Sequence, residues 1–484
     1  MKVIVVYDDT GRKSEVISDI IGDKGFSDVV VKKRRLEAYY QEEISKEYPC
    51  LIWKKIRSPF EYRDLLKAIE LDDADDVKIL HCFSNYLITD SAQALLSFKK
   101  LAFIEDAYAV LSNKRVVAAM FPSADEYLIF CKSLVTGKKP WDLIRGFPES
   151  FEIEGVVDLG IIGNFIQCIT GDFDSRYFNS LKGNEYTLVK SSPNKKKIRA
   201  EYEFYHLLPD DMKFWFVMPF HYKESEEGAS YTMERLHMTD LAVKWVHGSM
   251  DEAEFEELMD KYFFFFQCRH EKPCTKKEYD RMKESLYEEK VIERIKSLKA
   301  FKEYQKIKML LEASGDIDLE SILARYFELK KAIEGRSVYP HKLVIGHGDP
   351  CFANALYNKS TKTLKFIDPK GAMTKDELWT DPYYDVAKLS HSVCGRYDFF
   401  NHALFDIKIG ANFSYDLEIP FYNASYVEIF RQKLNENGFD YLSVRIYEAS
   451  LFLSMLPLHI DNPHKVFGFI LNVKNILEEI EKHV

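Results

Sequence analysis

The chain has 484 residues, of which 46% are hydrophobic and 30% charged, with a formal net charge of −10. That length predicts two or three domains with enough apolar material for their cores. The acidic balance argues against a general nucleic-acid binder, whose footprint is basic. No strongly apolar run approaches the ~20 residues that span a bilayer.

The opening MKVIVVYDDTG lacks the basic stretch and long apolar core of a secretory signal. Eight cysteines are scattered with no CxxC pair. Cys268, His270 and Cys274 lie close together, but the partners needed for a tetrahedral zinc site are missing. The expectation is a cytoplasmic protein with free thiols.

Residues 2–6, KVIVV, have the pattern of a buried strand. A helix over Lys13–Ile21 and a strand at Val29–Val31 would make a β-α-β start. Further strands are expected at Val77–Leu80 and Arg115–Ala119, and helices at Glu61–Leu71, Ser91–Leu101 and Ala124–Leu134. Strands alternating with helices predict an α/β domain over residues 1–165 with a largely parallel sheet. Asp8 and Asp9 end the first strand, at the sheet edge where open α/β folds bind ligands, so they are candidates for a metal or nucleotide. The domain's size and the run Val156-Val157-Asp158-Leu159-Gly160 resemble sugar nucleotidyltransferases of the glycosyltransferase-A-like type. The glycine-rich signature after the first strand is absent, and Asp8-Asp9-Thr10 does not match the DxDxT of haloacid-dehalogenase phosphatases. A degenerate or scaffolding domain is therefore expected.

From about residue 166 the pattern changes. Gly171 to Asn179, including Ser175, reads as a polar loop with aromatics. Tyr186–Lys190 follows as a strand with Leu188 and Lys190 on one face. A helix over Lys195–Leu208 is stopped by Pro209. Glu201, Tyr205 and Leu208 share a face of that helix, so Glu201 is the natural partner for Lys190, with Glu203 as fallback. Phe214–Pro219 and Tyr231–Leu236 would complete a small antiparallel lobe ending at 236. Asp251–Phe266 has helical spacing, and its run Tyr262 to Phe266 is most simply core. Residues 276–334 are charged with repeated apolar positions, predicting two or three amphipathic helices with a solvated charged face.

Leu343 to Gly371 concentrates the chemistry. Val344-Ile345 leads in as a short strand, followed by His347, Gly348 and Asp349. Ala355–Tyr357 and Leu364–Ile367 read as a hairpin that returns Asn354 and Asp368 to one place. Phosphoryl transfer needs a carboxylate for the proton of the attacking hydroxyl and oxygen ligands for Mg²⁺. Asp349, Asn354 and Asp368 meet that need. Asp381 suits a helix N-cap with Pro382 at the first position. The tail, Tyr447 to Val484, is helical with breaks at Pro457 and Pro463.

His347-Gly348-Asp349 in place of His-Arg-Asp, and Asp368-Pro369-Lys370-Gly371 in place of Asp-Phe-Gly, resemble the aminoglycoside phosphotransferase and choline kinase branch of the protein-kinase-like fold. More narrowly, the stretch resembles kinase-domain proteins of bacterial surface-polysaccharide gene clusters. The resemblance implies a two-lobed α+β domain with lobes at 166–236 and 237–484. It implies ATP and Mg²⁺ as cofactors. Asp349 would deprotonate the acceptor, Asn354 and Asp368 would hold Mg²⁺, and Lys190 braced by Glu201 would position the phosphates. Met233, Glu234 and Leu236 would border the base, with the backbone of Tyr231–Leu236 as hinge. Ser175 would sit in the loop over the phosphates, and residues 276–334 would shape the acceptor pocket. The acceptor would be a small sugar, polyol or amino alcohol, with no nucleic-acid or membrane partner and the oligomeric state open. Asp385 would be structural. Only nine residues separate Gly371 from Asp381, which argues against an activation segment and a protein acceptor. The alternatives are a pseudokinase that binds nucleotide without chemistry, and nucleotidyl or glycosyl transfer by the first domain.

Overall fold

A computed structural model describes the chain except for residues 1, 32, 71–76, 89–96, 172–179, 185, 315–316, 339–340 and 411–413. Ser175, nearly all of its loop, and most of the helix expected at Ser91–Leu101 lie outside the described residues. The described chain divides into two compact units, Met1–Phe173 and Asp174–Val484. The boundary expected at 165/166 falls inside the helix Ile162–Gly171.

The first unit is built on a six-stranded mixed sheet. Its order is Leu51–Ile56, Lys2–Asp8, Val77–Phe83, Arg115–Phe121, Tyr108–Ser112 and Glu149–Glu152. The first three run parallel. Val3 to Tyr7 are all buried, as a strand covered on both faces requires. Two expectations change. Arg115–Phe121 runs antiparallel to Val77–Phe83, because Asn113 and Lys114, both with positive φ, close a tight hairpin from Tyr108–Ser112. Val30–Val31 is not in the main sheet. It pairs with Arg34–Arg35 across a turn containing Lys33 at φ 62°, which leaves it too short to join, and Leu51–Ile56 takes its place.

The second unit begins with a four-stranded antiparallel sheet in the order Ser180–Gly183, Thr187–Ser192, Ala229–Glu234 and Pro219–Glu224. Helix Lys195–Leu207 packs on it through Ile198, which meets Ala229, Tyr231 and Met233. Asn194 caps that helix by accepting from the Lys197 N–H. The strand expected at Phe214–Pro219 starts only at Pro219. The preceding residues dock elsewhere: Phe366 N–H donates to the Trp215 carbonyl and Val217 N–H to the Phe366 carbonyl.

After Glu234 the chain enters a largely helical body. Thr239–Asp240 pairs with Ala355–Asn358, which forms a hairpin with Thr363–Phe366. Lys342–Ile345 lies between Glu271–Pro273 and Trp379–Thr380. Among the described residues the charged interval holds Lys276–Glu284, Lys290–Ala300, Tyr304–Ser314 and Leu319–Arg336, the first two running on as one helix, so three helices lie there as the upper expectation had it. A π-turn at Ser285–Glu289 joins the first two and places Tyr287 inward, where its hydroxyl donates to Asp381 at 2.6 Å. Tyr441–Met455 and Pro463–Glu481 complete the core.

Helix Glu252–Cys268 shows how the aromatic run is divided. Phe265 is fully buried, whereas Phe264 is 58% exposed and meets Trp215 edge-on. Phe265→Ala should cost about 3–5 kcal/mol and Phe264→Ala about 1 kcal/mol, read from urea denaturation. Equal costs would contradict this packing.

Candidate active site

Lys190 is the centre of the polar cluster in the second unit. Strand alternation turns it to the face that helix Lys195–Leu207 covers, together with Tyr231 opposite it in register. Its ammonium lies 2.7 Å from Glu201 Oε2 and 2.7 Å from Asp368 Oδ1. Tyr231 Oη donates to the same Glu201 oxygen at 3.2 Å. Burial would lower the lysine, but the charges of Asp368 and Glu201 outweigh it and hold Lys190 protonated. Burial pushes Glu201 up more than Lys190 draws it down. For Asp368 burial also raises, yet the lysine prevails and the carboxyl sits below its usual range. The Asp368 side chain is 39% exposed.

The loop carrying Asp349 is pinned from beneath. Asp385 accepts the backbone N–H of His347 at 2.9 Å and of Gly348 at 2.8 Å. Arg269, fully buried, stands 3.3 Å from the same carboxylate. Asp385 thus takes the structural position expected of it. Asp381 caps helix Pro382–Val393 and accepts hydroxyls from Tyr279 and Tyr287. Gly348 has φ 85°, and a Cβ there would meet the Lys370 stem at 2.5 Å, so glycine is required.

His347 is buried with its ring stacked on Phe216. Its Nδ1 accepts the Asp349 N–H at 3.0 Å, and its Nε2 faces the Ile367 carbonyl at 2.9 Å. Those partners fit the neutral ring with its proton on Nε2. Burial lowers its basicity further. The histidine therefore ties the Asp349 loop to the segment before Asp368. Asn354 closes the set: its Nδ2 donates to the Asp349 carbonyl at 2.9 Å, and its own carbonyl accepts from Ile367 N–H at 3.0 Å. The Asn354 amide oxygen is left on the far side from that donated bond. Asp368 itself has φ 55°, a conformation held by neighbouring contacts rather than by local preference. Lys190, Glu201 and Asp368 thus form one side-chain cluster, and the loop carrying Asp349 and Asn354 is tied to it through the backbone of Ile367.

Met233 faces the same side of the sheet as Lys190. It lines a crevice of about 20 Å³, room for one water, with Glu201, Phe204, Tyr231 and Asp368. Its backbone is paired on both sides, with Leu188 and with Pro219. Glu234 is exposed and Leu236 half-buried. Backbone groups available to a ligand therefore begin after Met233, where pairing on the Pro219 side has ended.

Three residues near Asp349 were not singled out from the sequence. Lys388 Nζ lies 3.0 Å from Asp349 Oδ1. The negative charge of Asp349 raises this lysine despite its burial. Tyr384 lies one helical turn earlier, and Lys290 Nζ donates to its hydroxyl at 2.9 Å. The signal was present: Asp381, Tyr384, Asp385 and Lys388 follow a helical period.

In the first unit, Asp8 and Asp9 are engaged internally. Asp8 accepts from Thr10 and from the Tyr62 hydroxyl at 2.6 Å, and stands 3.2 Å from His81 Nε2. Asp9 accepts from Ser27 and Ser84. All four carboxylate oxygens are thereby engaged, Asp8 Oδ1 by Thr10 in the same loop and the other three by other segments. The eight cysteines are free, and His270 pairs with Asp211 at 2.9 Å.

No family model matches the chain, and no curated protein matches it. Among solved structures, it is similar to a thermostable mutant of aminoglycoside phosphotransferase APH(4)-Ia, with 11% identity and a TM-score of 0.34, covering 62% of this chain and 94% of that one. It is similar to aminoglycoside phosphotransferase APH(3'')-Id from Streptomyces rimosus, solved with ADP and streptomycin, at 16% identity and a TM-score of 0.33, covering 62% and 98%. Choline kinase from Cryptosporidium parvum gives 12% identity and a TM-score of 0.30, covering 66% and 94%.

Two outcomes follow from the pinned loop. Asp385→Ala should destabilise the protein by about 3–5 kcal/mol, because Arg269 loses its buried partner; a urea midpoint within experimental error of wild type would refute the pairing. In the folded chain burial should keep His347 neutral to below the ~6.5 of a free imidazole, read by NMR titration of its ring. The unfolded chain then takes up this proton first as pH falls. His347 therefore withdraws stability below about pH 6.5 and contributes none of that loss above it.

Proposed function

We propose that the second unit transfers a phosphoryl group from ATP to a hydroxyl of a small molecule, a sugar or polyol of the kind used in surface-glycan synthesis. The observation that supports this reading best is that the Lys190–Glu201–Asp368 cluster adjoins the Asp349–Asn354 loop, the two being tied through the backbone of Ile367 beside Asp368. A protein-kinase-like arrangement of two lobes accounts for it, with the antiparallel sheet as one lobe and the helical body as the other.

In this reading Asp349 accepts the proton of the acceptor hydroxyl. Its carboxylate is partly exposed, and Lys388 holds one oxygen, which orients the other. Lys190, fixed by Glu201, binds phosphate oxygens. His347 keeps the loop in shape and takes no part in proton transfer. The segment from Glu234 to Leu236 receives the base.

The residues present suit Mg²⁺. Asp368 offers a partly exposed carboxylate and Asn354 an amide oxygen, both hard donors on adjoining segments. Two protein ligands are few, which fits an ion completed by substrate phosphates and water. When bound there, the ion neutralises charge on the transferring phosphates.

Asp349→Asn should lower transfer by about 10²–10⁴-fold while MgATP still raises the melting temperature. Turnover matching wild type in an ADP-release assay would refute the role of Asp349. MgATP stabilisation of the wild type with no transfer to any hydroxylated acceptor would instead favour a pseudokinase.

A further inference from the structure

Three lysines from separate segments act on Tyr384, and one of them, Lys388, holds the carboxylate that addresses the acceptor. Lys388, on helix Pro382–Val393, contacts Asp349 at 3.0 Å. Lys290, the first residue of helix Lys290–Ala300, donates to Tyr384 Oη at 2.9 Å and lies 5.3 Å from the centre of its ring. Tyr384 and Lys388 are four residues apart on one helix, so they share a face. Lys370, whose charge also acts on Tyr384, has its stem packed on Gly348, the residue before Asp349.

The balance of charge here is uneven. Asp349 offsets Lys388, and Glu201 and Asp368 offset Lys190. Among the described residues, Lys290 and Lys370 have no carboxylate within 4.0 Å. Lys290 is half-buried and Lys370 exposed. The phenol of Tyr384 registers the excess. Burial acts to raise it, but the charges of Lys290, Lys388 and Lys370 outweigh burial and bring it below its ordinary value. In a chain whose net charge is −10, this local reversal of sign has a consequence for binding. A locally positive surface concentrates anions and repels ammonium groups.

We infer that the pocket beside Asp349 takes a hydroxylated small molecule bearing a phosphate or carboxylate, and that Lys290 and Lys370 hold that anionic group. This rests on the phosphotransferase reading of the same site. The acceptor hydroxyl gives its proton to Asp349 while its oxygen bonds to the γ-phosphorus of ATP. The bond from that phosphorus to the β–γ bridging oxygen breaks, and ADP leaves with the electron pair.

The test uses the full chain with MgATP and four probes: a hexose 6-phosphate, a hexuronate, the neutral hexose and the hexosamine. Transfer should favour an anionic probe by at least about tenfold in kcat/KM, a margin in the range charge complementarity supplies. Which of the two is preferred separates phosphate from carboxylate. Lys370→Gln and Lys290→Gln should each raise KM for that probe several-fold with a smaller change in kcat. Lys370 is exposed, so its variant keeps the test valid should Lys290→Gln unfold. Separately, binding of the same probes is measured by NMR with ADP and Mg²⁺ filling the nucleotide site. Efficient transfer to the neutral hexose or the hexosamine, indifferent to both substitutions, would overturn this inference and leave the phosphotransferase reading intact. Lysine-dependent binding of the anionic probes without any transfer would support the pocket's chemistry and overturn the phosphotransferase reading. Neither binding nor transfer of an anionic probe would overturn the inference as well.

Discussion

One buried ammonium organises the candidate site. Lys190 stands between Glu201, eleven residues away on a helix, and Asp368, 178 residues away after the hairpin. A lysine this deeply buried is costly unless carboxylates surround it. The two contacts at 2.7 Å meet that requirement and in doing so join the antiparallel sheet to the helical body. They also fix where Asp368 points, despite its positive φ. Anything that weakens the lysine's pairing loosens the sheet, the helix and the loop together.

A second buried pair governs the other half of the site. Arg269 and Asp385 meet beneath the His347–Asp349 loop, and the carboxylate uses both oxygens to hold loop N–H groups. The loop is thus shaped by charge from below and by the neutral His347 ring from within. Asp349 itself is left partly exposed at the surface of this support. Of the three lysines that act on Tyr384, Asp349 pairs with Lys388, while Lys290 donates to the phenol and Lys370 packs its stem on Gly348.

Much of this was legible from residue order and type. The strand carrying Lys190 and the helix placing Glu201 inward follow from periods of two and 3.6. The hairpin that returns Asp368 toward Asn354 follows from two apolar runs around a polar turn. The helix start at Asp381-Pro382 is stated outright by a capping residue and a proline. Other features were not legible. The strand at Arg115–Phe121 has the same apolar look whether it runs parallel or antiparallel, and only the Asn113-Lys114 turn decides. Phe214–Val217 looks like a strand but is held by the hairpin rather than by the sheet.

The sequence by itself determined the inventory: an ammonium, an amide and three carboxylates, in a fixed order and on elements whose local period is strong. It determined these because helix, strand and cap preferences act over a few neighbouring residues. Only the tertiary structure decided which distant groups meet. Lys290 reaches Tyr384 across 94 residues, and Lys388 reaches Asp349 from a helix whose packing, not its composition, turns it toward the loop. Such meetings depend on how helices pack and where loops close, and those are set by the whole core at once.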